Sequence, residues 1–235
     1  MYNNDVYSSQ GNAGMQTGLN TYIAKVFGIM FLGLLVTAGA ALFTATNKTM
    51  MEFVFGGNMF FVFVIAELGL VIALTAGITK MSYAVMQMMF YLYAIINGVT
   101  LASVFYVYEL GTIGLAFFTA AISFGVMAVY GAVTKKDLTK IGNILIMGLI
   151  GILVASIINI FVGSSQFDLF ISFAAVAVFV GLVAFDTQKL KSYYYMSSGD
   201  YQMQRKIAIM GSLSLYLDFI NIFLYLLRIF ASKRD

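Results

Sequence analysis

The sequence predicts an all-α integral membrane protein of seven transmembrane helices, and three observations carry the prediction. Of its 235 residues, 61% are hydrophobic and only 10% charged, where a soluble domain carries roughly 25% charge; the mean hydropathy is +0.93. The apolar residues fall into seven runs, each near the about 20 residues that a helix needs to cross the hydrocarbon layer. The cations stand at the ends of those runs, mostly on one side.

Residues 1–20 are polar and rich in Asn, Ser, Gly and Gln, a composition that cannot bury a core and predicts a flexible tail. The tail lacks the cationic start and short apolar stretch of a cleavable leader. The seven-helix domain takes up residues 21–235. Its spans are predicted over Tyr22–Ala45, Gly57–Thr79, Tyr83–Tyr108, Thr112–Val133, Ile141–Gly163, Leu169–Lys189 and Ile207–Phe230. Spans three to five have no charged residue in their cores. Spans two, six and seven each carry one acid, which costs about 3 kcal/mol at the centre of a helix and leaves insertion favourable.

Cations flanking short loops set orientation. With the N-terminus in the cytoplasm, Lys25, Lys80, Lys135, Lys136, Lys140, Lys189, Lys191, Arg205 and Lys206 face inside, and Lys48, Arg228, Lys233 and Arg234 face outside, nine of the 13 cations on one face. The tail at Ser232–Asp235 then lies outside against the rule; a re-entrant last segment would return it. The net charge of +3 is explained by topology and not by a nucleic-acid partner.

Composition also excludes chemistry. Cys, His, Trp and Pro are all absent, which removes thiolate and imidazole metal sites, Cys nucleophiles and Ser-His relays. A rhodopsin-like pigment needs a Lys in its last helix, and Ile207–Leu227 has none. An intramembrane aspartyl protease needs a GxGD block, whereas Asp218 follows Leu215-Tyr216-Leu217. The chain is therefore expected not to be an enzyme and to hold no cofactor.

The informative residues are the acids within spans: Glu67 in the second, Asp186 near the inner end of the sixth and Asp218 in the seventh. Carboxylates at membrane depth are costly and mark pathways, proton relays or helix–helix ties. At 100° per residue, Gly211, Ser214, Asp218, Asn221, Tyr225 and Arg228 share about a third of the last helix. Such a stripe cannot face lipid, so this helix is expected to be central. Arg228 lies about 15 Å along the axis from Asp218, beyond direct pairing. Asn97 with Thr100, and Ser156 with Asn159, are expected to bond between helices.

Several blocks resemble the Bax inhibitor-1 family, or transmembrane Bax inhibitor motif family, in its bacterial branch. They are Glu67–Leu70 (ELGL), Lys80–Ser82 (KMS), Asn97–Thr100 (NGVT), Tyr130–Leu138 (YGAVTKKDL), Met147–Gly151 (MGLIG), Asn159–Ser165 (NIFVGSS), Val180–Leu190 (VGLVAFDTQKL) and Leu215–Arg228 (LYLDFINIFLYLLR). The resemblance implies seven helices with the last at the centre of the other six, and a facing pair of Asp186 and Asp218. It implies a pH-sensitive Ca²⁺ leak in a bacterial inner membrane, and, from some relatives, association with a membrane-anchored AAA protease. Where some relatives carry an Arg that latches the first of these aspartates, this chain has Ile78, Thr79 and Lys80; Lys80 lacks the bidentate fork of guanidinium.

Two carboxylates within hydrogen-bond reach in a low dielectric share a proton and titrate together. Asp186 and Asp218 would thus sense protons without His, and when ionised would attract Ca²⁺, which prefers carboxylate oxygen. Glu67 would add a second acidic step, with Lys80, Asn221 and Arg228 as supports. The alternative is a regulator that transports nothing and binds a membrane protease or another membrane complex.

Overall fold

A computed structural model describes the backbone of residues 3–231 and the side chains of residues 15–231. Lys233 and Arg234, which enter the charge bias, lie outside the described residues. The described chain is helical: α1 (Asn3–Thr46), α2 (Lys48–Phe55), α3 (Met59–Ala76), α4 (Tyr83–Leu101), α5 (Val104–Val107), α6 (Leu110–Val133), α7 (Thr139–Val162), α8 (Ser165–Met196) and α9 (Tyr201–Ala231). Seven spans are long and apolar enough to cross a membrane, with α4 and α5 together forming the third. Large side chains uncovered by protein, such as Ile65, Ile72, Phe118 and Phe161, face outward, as a lipid-bathed surface requires.

Helix ends follow from local chemistry. Asn47, Ser82 and Ser164 each accept a backbone N–H from the first turn of α2, α4 and α8 (Met50, Val85 and Phe167), satisfying donors that have no partner in the helix. Gly163 (φ +66°) ends α7 and Gly199 (φ +99°) turns the chain between α8 and α9, a backbone region open to Gly at low cost. Asp200 Oδ1 then accepts Met203 N–H at 2.9 Å and opens α9. The break between α4 and α5 falls where hydroxyls compete for backbone carbonyls: Thr100 Oγ1 lies 3.0 Å from the Asn97 carbonyl and Ser103 Oγ 3.1 Å from that of Thr100. Such side-chain bonds interrupt helices without Pro.

Within the stretch read as a tail over 1–20, residues 3–20 run on as the start of α1. Packing explains it: Leu19 and Tyr22 are buried, and a Cβ on Gly18 would meet the Tyr194 hydroxyl. The first turns of the span thus lie against α8. The helices α8 and α9 also outrun the predicted spans by several residues at the end they share.

In α9, 67% of the most apolar stretch is buried, against 6% in α3 and α7. Its main neighbours are α8, α6, α1 and α4. Burial is not confined to the polar stripe, since Leu215, Phe219, Ile222 and Leu227 on other sides are equally enclosed. Instead Ser214, Leu217, Asn221, Leu224 and Tyr225 are half-buried and Arg228 exposed. These residues recur at helical spacing, so the least covered strip of α9 runs along the flank of the polar stripe.

Close approach of helices depends on two glycines. A Cβ on Gly131 of α6 would meet the Ala184 carbonyl of α8, and one on Gly98 of α4 the Thr37 carbonyl of α1. These neighbours are backbone and cannot rotate away. Gly131→Ala is expected to destabilise the bundle by about 1–3 kcal/mol, as overpacking does, seen as a lower unfolding temperature in detergent. An unchanged temperature would show that α6 and α8 separate freely.

Candidate functional site

Asp186 lies in the last third of α8 and Asp218 near the middle of α9, the two helices with the most extensive mutual packing. Asp218 is only 5% exposed, and its Oδ2 is buried with no hydrogen-bond partner among the described residues. Asp186 is the charge that acts on it, and Asp186 in turn feels the ammonium of Lys189 three residues on. Thr187, beside Asp186 in the chain, is buried with its hydroxyl unpartnered. A carboxylate buried without a donor costs several kcal/mol when ionised. The arrangement therefore calls for a proton or a cation between the helices.

The structure brings Asp186 and Asp218 into electrostatic reach and places the other candidate residues elsewhere. Lys80 is exposed in the turn after α3 and makes no ion pair among the described residues. The cation beside Asp186 is Lys189, whose ammonium also lies 5.5 Å from the centre of the Phe185 ring. Sequence reading passed over Lys189 as a topogenic charge, although its i,i+3 spacing from Asp186 was available. Asn221 spends its amide on the Leu217 carbonyl of its own helix at 2.8 Å. Arg228 stands 3.8 Å from Asp168 at the start of α8 and over Tyr225 at 5.2 Å; both members of that ion pair are nearly half exposed.

Glu67 belongs to a second polar cluster. Its Oε2 accepts from Asn97 Nδ2 at 3.1 Å, and its Oε1 lies 2.7 Å from the Thr100 hydroxyl. Tyr216 of α9 donates to Asn97 Oδ1 at 2.9 Å and stands 2.6 Å from the hydroxyl of Thr37 of α1. That hydroxyl also faces the Ala94 carbonyl of α4 at 2.9 Å. Four helices are thus tied through one acid and one phenol. Asn97 and Thr100 bond between helices as expected, whereas Asn159 Oδ1 accepts Ser164 N–H at the end of its own helix and Ser156 Oγ has no partner among the described residues.

Among the described residues no three or more His, Cys, Asp and Glu side chains converge to hold a metal. Two carboxylates supply fewer than the six to eight oxygens that Ca²⁺ takes.

Past the end of α6, Gln188 of α8 donates to the Lys136 carbonyl at 2.7 Å and accepts Leu138 N–H at 2.8 Å. The loop of Lys135, Lys136 and Asp137 is thereby pinned two residues past Asp186. The Thr139 hydroxyl and then its amide hold the exposed Asp137 carboxyl below its usual range. That capping bond is present above the ordinary carboxylate range and is lost as pH falls through the lowered value.

The family described as "Inhibitor of apoptosis-promoting Bax1" matches residues 19–235. The chain belongs to the Bax inhibitor-1 family. Bacterial relatives align along nearly their whole length: "Inner membrane protein YbhL" of Escherichia coli K12 is 45% identical over 221 residues, 93% of this chain and 94% of the relative. A protein of Borreliella burgdorferi is 42% identical over 217 residues, covering 92% and 94%. RP147 of Rickettsia prowazekii is 36% identical over 234 residues, covering 100% and 99%. The Bax inhibitor match includes both clusters, the aspartate pair and the Glu67–Tyr216 ties.

Tyr216→Phe keeps the ring contacts with Phe90 and Tyr93 and removes only the hydroxyl. It leaves Asn97 Oδ1 without its donor and is expected to cost about 1–3 kcal/mol, measured as unfolding in detergent. Stability equal to the unsubstituted chain would mean that water replaces the phenol.

Proposed function

We propose that this Bax inhibitor family protein is a pH-sensitive cation leak, with Ca²⁺ as its ion, and that Asp186 and Asp218 form the proton-sensing cation site. The observation that carries the reading is the unpartnered Asp218 carboxylate, enclosed in the most buried helix and facing the charge of Asp186. A structural tie would spend its oxygens on donors, as Glu67 does; this one keeps them for a mobile partner. Access is supported by the less covered strip along Ser214, Leu217, Asn221 and Arg228, which adjoins Asp218 and is too polar to suit lipid. Because each bound cation displaces protons from the pair, Ca²⁺ affinity rises with pH.

The same reading takes α9 as the axis of the bundle, supported by its burial, with the N-terminus in the cytoplasm, supported by the cation bias. The relative named an inner membrane protein supports a bacterial inner membrane. The chain acts without catalysing a reaction. Glu67, tied to Asn97 and Thr100, is a second acidic step. The test is Ca²⁺ uptake into proteoliposomes of the purified chain: uptake above that of empty vesicles is expected, and its absence with folded protein would overturn the reading.

A second reading has one observation in its favour. The cationic loop of Lys135 and Lys136 is exposed yet held in a fixed shape by Gln188, as a docking surface for a membrane-anchored AAA protease or another complex would be. Capture of such a partner that is lost on Lys135→Glu, with no Ca²⁺ uptake by the purified chain, would favour it.

A further inference from the structure

A cavity of about 330 Å³ lies between the first half of α1, the end of α8 and the start of α9, on the cation-rich face of the bundle. Its walls include Tyr22, Lys25, Tyr194, Tyr201, Gln204 and Arg205, and no carboxylate among the described residues. The two cations meet over one ring: the Arg205 guanidinium is 3.7 Å and the Lys25 ammonium 5.6 Å from the centre of Tyr83. Neither forms an ion pair among the described residues. Like charges held together without an acid repel, and ring faces offset only part of that cost.

The unpartnered polar atoms here are donors. Arg205 Nε is buried without an acceptor, and the hydroxyl of Tyr22, a residue 5% exposed, is buried without any partner among the described residues. Buried polar atoms left unpaired are costly and ask for an explanation. Two cations and two unpartnered donors around one cavity without an acid fit a ligand that is anionic and rich in acceptor oxygens. Guanidinium in particular matches phosphate geometry, and basic pockets between helices at this depth suit lipid headgroups.

We propose that this cavity binds a phosphate-bearing anion, with Lys25 and Arg205 supplying charge and Arg205 Nε and Tyr22 Oη the hydrogen bonds. The site is separate from the aspartate pair, since Arg205 and Asp218 are about 20 Å apart along α9, and it does not rest on the cation-leak reading. Its source is either an anionic phospholipid of the adjoining leaflet or free phosphate.

Native mass spectrometry of the full chain in neutral detergent separates these. Phosphatidylglycerol should be retained roughly tenfold better than phosphatidylcholine of the same chains, as charge-assisted bonds imply. Arg205→Gln should abolish that preference and Tyr22→Phe, which keeps the ring, should reduce it by roughly three- to tenfold. Lys48→Gln, beyond the far end of α1, should leave it unchanged. Displacement of phosphatidylglycerol by inorganic phosphate would support the site with the free ion as its occupant; retention against inorganic phosphate would support it with the lipid. Equal retention of the two lipids by the unsubstituted chain, or the full preference persisting in Tyr22→Phe and Arg205→Gln, would overturn the proposal. If Arg205→Gln unfolds, Tyr22→Phe decides.

Discussion

Asp218→Asn is expected to weaken Ca²⁺ binding at alkaline pH by roughly tenfold or more, about 1.4 kcal/mol or above, while the bundle stays folded. Asparagine keeps the size of the side chain and removes the charge. The neutral amide cannot bind a hard cation as a carboxylate does, and Asp186 is left as a single acid. Asp186→Asn should act in the same direction with a smaller loss, because Asp186 is less buried than Asp218 and already faces the Lys189 ammonium. Equilibrium binding of radioactive Ca²⁺ to purified protein reads both. Unchanged affinity in Asp218→Asn would remove the pair from the ion's path.

The second large effect is on stability and has the opposite sign from ordinary core damage. Asp218→Leu is expected to raise stability at neutral pH by about 1–4 kcal/mol, the range found when buried charges give way to packed apolar groups. For a chain of this length that is a rise of several degrees in unfolding temperature. The carboxylate makes no hydrogen bond through Oδ2 that leucine would break, and Leu215, Phe219 and Ile220 nearby in the chain are already apolar and buried. A site that costs stability is one held for function. Thermal unfolding in detergent measures it, and a fall in stability would make Asp218 a structural tie between α8 and α9.

Much of the fold could be read from the residues because lipid is an undemanding solvent for apolar side chains and a costly one for charge. Seven apolar runs became seven spans, most ends falling within a few residues of the ends of those runs. The break after Leu101 was hidden because it arises from hydroxyl bonds of Thr100 and Ser103 to nearby carbonyls, which no hydropathy pattern records. The start of α1 reaches back into the polar stretch, where Gly18 and Tyr22 lie against Tyr194, a contact made across the sequence. At the site, the acids stood out by their cost. What they bond to did not: Glu67 meets Asn97 and Thr100 through the register of α3 against α4, and Tyr216 looked like any core aromatic. The donors at Tyr22 and Arg205 gain meaning only when α1, the end of α8 and the start of α9 surround one cavity.

The central claim is that one carboxylate pair both senses protons and passes the cation. Ca²⁺ flux into proteoliposomes from about pH 5 to about pH 8, for the unsubstituted chain beside Asp186→Asn and Asp218→Asn, tests it most directly. The account predicts flux that depends on pH in the unsubstituted chain and a pH profile that is shifted or flattened in each variant. A pH dependence that survives unchanged in both variants would contradict it.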